Sequence, residues 1–189
     1  MNKKILNIGL LIAMGMNVAT ANAASSGTIT FNGMITGSTC EVVVDGGAAD
    51  ATVQLPTVAD SALGVAGATT GKTNFVMSLT NCALPAEGDL SQVAAFFQAG
   101  ASVNNTTGRL KQLASGETAA TNVSLQLSDG YNDTPIFVGN SSQIGSNHFE
   151  TMTGPDQEIR LAYEVEYYAE GAVTPGLVNS NVVYNLQYK

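Results

Sequence analysis

Hydrophobic and polar residues alternate strictly over the last nine positions of the sequence, Asn181 to Lys189. A period of two predicts a β-strand with one buried face rather than a helix. No sequence follows Lys189 to cover the free side of this strand, so we expect an unpaired edge that another chain can use as a template. The residues on the predicted buried face are Val182, Tyr184, Leu186 and Tyr188.

The same period recurs in the body of the chain, where turn-forming residues separate the runs. Sequence rich in glycine, alanine and threonine predicts a loop at 58–72, with room for one helical turn, and a second loop at 171–176. Seven or eight short strands with turns between them predict an antiparallel β-sandwich in a single domain. Alternating or apolar runs predict the inner strands at 33–44, 74–80, 93–97, 122–128 and 158–168.

The first residues are typical of a secretory signal peptide. A basic pair at 3–4 precedes an apolar run from Ile5 to Val18, and an A-x-A cleavage site ends at Ala23. The alternative is an uncleaved membrane anchor, which the short and interrupted apolar run disfavours. We therefore predict that residues 1–23 are removed on export and that the mature chain begins at Ala24.

The segment that follows, residues 24–33, also alternates. Gly27, Ile29 and Phe31 share one face, and threonines and an asparagine occupy the other. A free strand at one end and an open edge at the other predict that the first strand of one copy fills the edge of the next. A head-to-tail contact of this kind, if it does not close on itself, builds a filament.

Composition agrees with an ordered, exported protein. Hydrophobic residues make up 44% of the chain and charged residues 12%, which excludes a disordered chain. The formal net charge is −8, and no lysine- or arginine-rich patch is available to neutralise phosphates. The sequence therefore argues against nucleic-acid binding.

Cys40 and Cys82 are the only two cysteines. In an exported chain, two cysteines favour one structural disulfide, which would stabilise a loop of this length by about 4 kcal/mol. The alternatives are a reactive thiol pair or a metal site. Both are less favoured, because the chain has no C-x-x-C motif and only one histidine, His148.

No catalytic motif stands out. Gly71-Lys72-Thr73 suggests a phosphate-binding loop, but Ala66 occupies the position where the motif needs its first glycine. A Ser-His-Asp triad would depend on His148 alone in a polar loop. A carboxylate pair of the glycosidase type remains open, since Asp and Glu are scattered along the chain. We expect no enzyme activity, no cofactor and no metal.

Several motifs together resemble those of structural pilins of the bacterial chaperone–usher pathway, close to the type 1 major fimbrial subunits. The resemblance covers essentially the whole chain, apart from a poor match at 83–114. It is carried by the spacing of the two cysteines, by a penultimate tyrosine, Tyr188, and by a glycine fourteenth from the end, Gly176. The sequence stretches that carry it are GTITFNG (27–33), ATNVSLQL (120–127) and YYAEGAVTPG (167–176).

The resemblance implies an all-β, incomplete immunoglobulin-like β-sandwich that lacks its last strand and is completed by donor-strand complementation. Residues 24–33 would be the donor strand, with Gly27, Ile29 and Phe31 as its inserted face, and 34–189 the pilin domain. Its groove would follow Gly176 and the final strand.

The implied partners are identical or related pilin subunits, a periplasmic chaperone and the outer-membrane usher, on a path through the periplasm to a fimbria on the cell surface. The sequence assigns no host receptor. Two alternatives stay open: a minor or adaptor pilin of the same system, and a secreted β-sandwich carbohydrate-binding module or small hydrolase.

Overall fold

The computed structural model describes residues 28–31, 33, 40–83 and 90–189. The chain divides into two units, Met1–Ile35 and Thr36–Lys189, and each is described by itself. The predicted signal peptide, Gly27 and the first part of the strand predicted at 33–44 lie outside the described residues. Within the described ranges, no helix has the length and apolar character needed to cross a membrane.

The regular secondary structure in the described part of the second unit is almost entirely antiparallel β-strand. A 3₁₀ turn at Asp60–Leu63 confirms the single helical turn predicted within 58–72, and α1 is one turn at Gln143–Ser146. The strands are β1 (Glu41–Val44), β2 (Thr69–Thr80), β3 (Gln92–Phe97), β4 (Leu110–Lys111), β5 (Thr121–Asp129), β6 (Glu150–Thr151), β7 (Ile159–Thr174) and β8 (Tyr184–Tyr188).

These strands form two sheets that pack face to face. One has the order β1-β2-β7-β5-β4 and the other the order β6-β3-β8. Tyr163 of β7 joins the two: its ring meets Phe97 of β3 edge to face at 5.0 Å, and its hydroxyl accepts a hydrogen bond of 2.8 Å from Ala95 N. The predicted β-sandwich is confirmed. The core includes Phe75, Met77, Leu79, Val93, Leu125, Leu127, Leu161 and Val165.

Two predicted loops are partly wrong, because strand pairing extends into them. β2 begins at Thr69, which pairs with Tyr168, and β7 continues to Thr174, which pairs with Thr121. The cross-strand partners outweigh the low strand propensity of the small residues in these stretches. Gly71 explains the irregular start of β2. It adopts φ +72° where the β2–β7 register shifts, as expected for a glycine at a β-bulge.

The last strand is shorter than the alternation predicts. The pattern extends over residues 181–189, whereas β8 covers only Tyr184–Tyr188. The limit comes from its partner, since β3 ends at Phe97, which lies opposite Tyr184. Val182 therefore precedes the strand, although its side chain still packs against the core.

A disulfide joins Cys40 to Cys82, as the sequence predicts. It connects the residue before β1 to the second residue after β2, next to the point where Glu41 pairs with Thr80. The bond excludes a reactive thiol pair at these positions. It also restrains the unfolded chain over a sequence separation of 42 residues, in line with a contribution of about 4 kcal/mol.

Candidate functional site

Among the described strands, β8 has a neighbour on one side only. It pairs antiparallel with β3 and occupies the outer position of the three-stranded sheet. Lys189 exchanges two backbone hydrogen bonds with Gln92, and the Val183 carbonyl accepts one from Gln98. Since bonded positions alternate along an antiparallel strand, the even-numbered residues direct their N–H and C=O groups away from β3, where no described residue pairs with them. These residues are Tyr184, Leu186 and Tyr188.

The side chains of the same residues point inward, yet they are only half-buried. They pack against the hydrophobic core together with Val182, as the alternation predicts. The odd-numbered face lies outside, and Val183 exposes 64% of its surface. The predicted inner face of the last strand is therefore confirmed, but its covering is incomplete.

Residues 49–58, which we call the lip segment, lie across from β8. The segment carries no helix or strand assignment, and its backbone makes no backbone–backbone hydrogen bond with any described residue. Even so, Val53, Leu55 and Val58 are half-buried against core residues. The side chains of the lip segment therefore pack against the core, while its backbone makes no ladder with any described strand.

An open groove separates the lip segment from the residues before and within β8. Its wider part is a cavity of about 470 Å³, lined by core side chains of both sheets, among them Phe75, Leu127 and Phe97. A second cavity of about 440 Å³ shares Leu55 with the first and continues along 173–178. Protein cores contain few voids larger than a water molecule. A cavity of this size against core side chains indicates that the described residues leave room for one more element in the sandwich.

Two tyrosine hydroxyls contact the lip segment, and a third lies beside the disulfide. Tyr184 donates a hydrogen bond of 2.9 Å to the Ala49 carbonyl, and Tyr167 donates one of 3.2 Å to the Pro56 carbonyl. The Tyr188 hydroxyl lies 3.8 Å from Cys40 Sγ. Burial raises the pKa of all three phenols, and the charge of nearby Asp50 raises that of Tyr184 further. The hydroxyls are therefore protonated donors at neutral pH.

Gly176 lies at the wall of the second cavity rather than in β8. A Cβ at this position would lie 2.4 Å from Ala120 N and 2.5 Å from Ala119 C, both backbone atoms. Hydrogen bonds between the next residue, Leu177, and the backbone of Thr118 and Ala120 hold the two segments at this distance. A glycine is required here because two backbones meet, a reason that the sequence does not reveal.

Ile29 and Phe31, the predicted donor residues within the described part of the first unit, are exposed. Their exposed fractions are 77% and 88%, and residues 28–31 have no regular secondary structure. The third predicted donor residue, Gly27, lies outside the described residues. Two large apolar side chains this exposed, only two positions apart, mark a candidate interaction segment.

Sequence reasoning missed two parts of the site, the lip segment and Tyr167. The sequence around Val53 and Leu55 suggests only a short extended stretch. Its signal was weak because Pro56 has no N–H for a regular ladder. Tyr167 belongs to the predicted inner face of its strand, but its bond to Pro56 joins residues 111 positions apart.

The residues considered for other chemistry have structural partners. Lys72 Nζ lies 2.8 Å from both Asp133 Oδ1 and Glu164 Oε2, which ties it to carboxylates rather than to a phosphate. His148 stacks on Tyr131 with ring centroids 4.1 Å apart. Among the described residues, no three His, Cys, Asp or Glu side chains are grouped so that they could hold a metal ion.

Comparison with known proteins identifies the family. The model of the type-1 fimbrial protein A family matches residues 55–189. The chain is 43% identical over 169 residues to the major fimbrial subunit SMF-1 of Stenotrophomonas maltophilia, which covers 89% of this chain and 95% of that protein. It is 34% identical over 182 residues to the F17 fimbrial protein of Escherichia coli, with 96% of each chain covered.

Solved structures support the fold. The P pilus rod subunit PapA superposes with a TM-score of 0.56 at 19% identity, covering 79% of this chain and 99% of that one. A subunit of a chaperone–usher pilus gives a TM-score of 0.54 at 21% identity, covering 88% and 97%. The fold is thus the immunoglobulin-like sandwich of pilus subunits. The chain belongs to the type-1 fimbrial protein family, and it is a structural subunit of a surface fimbria rather than an enzyme.

Proposed function

We propose that this subunit polymerises head to tail by inserting residues 24–33 into the groove of a neighbouring subunit. The inserted strand lies between β8 and the lip segment and directs Ile29 and Phe31 into the core. Each subunit then donates one strand and accepts one, so the assembly continues as an open filament. The fimbria built in this way supports adhesion of the cell.

The observation that supports this proposal is the groove itself. On neither side of it does the backbone have a described strand partner within the groove: the even-numbered residues of β8 lack a second strand, and the lip segment is bonded to other elements only through tyrosine hydroxyls on its Ala49 and Pro56 carbonyls. Between them, the cavity of about 470 Å³ exposes core side chains. An extended strand with alternating apolar side chains fits such a site, because its backbone can pair with both sides while every second side chain fills the core.

Export requires that the groove does not pair with the wrong strand. An exposed strand edge is a template for aggregation. A periplasmic chaperone that lends its own strand would cover β8 until the subunit reaches the outer-membrane usher. There the residues 24–33 of the next subunit replace the chaperone strand.

Burial of the donor side chains should stabilise the contact between subunits. Burying Ile29 and Phe31, which expose 77% and 88% of their surface, should contribute about 1.5–3 kcal/mol each. Each backbone hydrogen bond to β8 adds about 0.5–1.5 kcal/mol. The inserted strand also covers the half-buried inner face of β8, so both partners bury apolar surface in one step.

The test is a charge substitution on the donor face. The double variant Ile29→Asp/Phe31→Asp should abolish filaments in electron micrographs, because two carboxylates cannot enter the core without a large desolvation cost. The matched control is Thr28→Asp/Thr30→Asp, which adds the same charges to the opposite face and should leave filaments on the cell. Equal amounts of disulfide-bonded subunit in the periplasm would show that both variants fold.

Normal filaments from the Ile29/Phe31 variant would refute the donor assignment. Loss of filaments in both variants would show that charge anywhere on the segment is harmful, and that the inserted face is not the one proposed.

A further inference from the structure

We propose that Tyr184 and Tyr167 are positioning residues that hold the lip segment beside the groove, so that its backbone is in place when a strand enters. This proposal rests on the proposed function, since it concerns the second side of the same groove. It assigns a specific task to two phenol hydroxyls that the core does not need for packing.

The two tyrosines hold the segment near its two ends. Tyr184 lies on β8 and reaches across the groove to the Ala49 carbonyl at 2.9 Å. Tyr167 lies on β7, in the other sheet, and reaches the Pro56 carbonyl at 3.2 Å. Each sheet of the sandwich thus contributes one hydroxyl, and the residues from Ala49 to Pro56 are fixed relative to both sheets.

The only other hydrogen bond to the backbone of this segment from a described residue is local, a bond of 3.4 Å from the Gln54 side-chain amide to the adjacent Leu55 carbonyl. Residues 49–58 make no backbone–backbone hydrogen bond with a described residue, and the remaining restraint comes from the half-buried side chains Val53, Leu55 and Val58. Apolar contacts are not directional, so they favour burial without setting the register or the orientation of peptide groups. The two tyrosine hydrogen bonds set the orientation of the peptide groups that they contact, at Ala49 and Pro56.

The irregular start of β2 leaves space for the side chain of Tyr167. Its ring lies over the bulge at Gly71, where a Cβ would come within 2.8 Å of Tyr167 Cδ2 and 3.1 Å of Val58 Cγ1. The glycine therefore leaves the space that the Tyr167 ring occupies beside Val58. From this position the hydroxyl reaches the Pro56 carbonyl.

A lip that is already in place lowers the cost of binding, because fewer residues must be ordered when the strand arrives. In this proposal neither hydroxyl pairs with the incoming strand. Replacing tyrosine by phenylalanine therefore removes the hydrogen bond to the lip segment and leaves the ring. The expected result is a bound donor strand that leaves faster, by about two- to tenfold for one lost hydrogen bond.

Tyr131 provides a matched control. Its hydroxyl donates a hydrogen bond of 2.6 Å to the Arg160 carbonyl, the same kind of bond, but neither residue lines the groove. Tyr131→Phe therefore removes one tyrosine–carbonyl bond without touching the lip segment. All variants are made in the Ile29→Asp/Phe31→Asp background, so that the chain's own extension does not compete.

The first measurement needs no donor strand. Limited digestion of the purified chains with proteinase K, mapped by mass spectrometry, reports cleavage within 49–58. Tyr184→Phe and Tyr167→Phe should be cut there about two- to tenfold faster than the parent chain, and Tyr131→Phe at the parent rate. Equal rates in all four chains, or an equal increase in Tyr131→Phe, would overturn the positioning role.

The second measurement follows dissociation of a fluorescent peptide with the sequence of residues 24–33. The two groove variants should release it about two- to tenfold faster than the parent and Tyr131→Phe. Release at the parent rate from both groove variants would overturn the inference while leaving donor-strand insertion intact. Failure of the peptide to bind the parent chain would overturn the proposed function, and the pairing role of the lip with it.

Discussion

β7 and β8 have the same alternating sequence pattern but lie in different environments. Both alternate, and both direct tyrosine and aliphatic side chains toward the core. β7 lies between β2 and β5, and its inner residue Tyr163 is only 2% exposed. β8 pairs with β3 and with no other described strand, and its inner residues Tyr184 and Tyr188 are half-buried. Alternation thus reports which face of a strand is buried, whereas the number of neighbouring strands decides how completely.

Amide hydrogen exchange should show the largest contrast between the two strands. The amides of Leu161, Tyr163 and Val165 lie inside a five-stranded sheet and should exchange only through large opening events. The amides of Tyr184 and Leu186 face the free edge and should exchange about 1,000-fold faster, a difference of about 4 kcal/mol.

Adding the 24–33 peptide should remove this contrast, because it gives β8 a second neighbour. The odd-numbered residues Asn185 and Gln187 are the internal control, since their amides face β3 with or without the peptide. Slow exchange of Tyr184 and Leu186 in the chain without peptide would contradict the free edge.

Truncating one leucine in each strand should show the same contrast in stability. Leu161→Ala removes a side chain that is 1% exposed and should lower the free energy of unfolding by about 2–5 kcal/mol. Leu186→Ala removes a half-buried side chain beside an open cavity, so the loss should be near 1 kcal/mol.

Urea denaturation of the two variants measures both losses. The sharper test repeats it with the peptide bound, when Leu186→Ala should approach the cost of Leu161→Ala. A loss at Leu186 that does not change on peptide binding would mean that the inserted strand does not cover β8.

Substituting alanine for a glycine near the groove should lower the stability by an intermediate amount. Gly176→Ala forces a Cβ to within 2.4 Å of backbone and should cost about 1–3 kcal/mol, since the segments at 118–120 and 176–177 must separate. The control is Gly171→Ala in β7, where the nearest atom to a new Cβ is 3.8 Å away and stability should change by less than about 0.5 kcal/mol. Thermal unfolding compares them, and equal shifts would show that the close approach at Gly176 is not maintained in solution.

The sequence is sufficient to predict what burial alone determines. The inner faces of β2, β5, β7 and β8 follow from alternation, and the disulfide follows from two cysteines in an exported chain. Strand lengths are less predictable, because Thr69 and Thr174 become strand residues only through partners about 50 to 100 positions away.

One side of the candidate site could be predicted in part from the sequence and the other could not. The β8 side was predictable in part, since alternation identifies the face of the last strand that packs against the core. The lip segment was not, because its position depends on hydroxyl contacts from Tyr184 and Tyr167, which are distant in sequence. Pattern analysis detects periodic burial, and a segment held by single side-chain contacts has no period to detect.

Alkaline pH should produce the smallest change in the free energy of unfolding. The change differs between the two strands because their tyrosines differ in burial. Burial raises the pKa of Tyr163 in β7, and burial together with the charge of Asp50 raises that of Tyr184 in β8 above its usual value of 10.0. A phenol whose folded pKa exceeds its unfolded pKa stabilises the fold below pH 10, and this contribution is lost as pH rises through the folded pKa.

Tyr184→Phe has no proton to lose at this position, so its free energy of unfolding should fall less steeply between about pH 9.5 and 11 than that of the parent chain. The difference should stay below about 1 kcal/mol, because solvent still reaches the Tyr184 hydroxyl at the open groove. With the peptide bound, Tyr184 loses that solvent and should resemble Tyr163, so the difference between parent and variant should grow. Urea titrations at a series of pH values measure it, and a difference that shrinks on peptide binding would show that β8 remains an open edge in the complex.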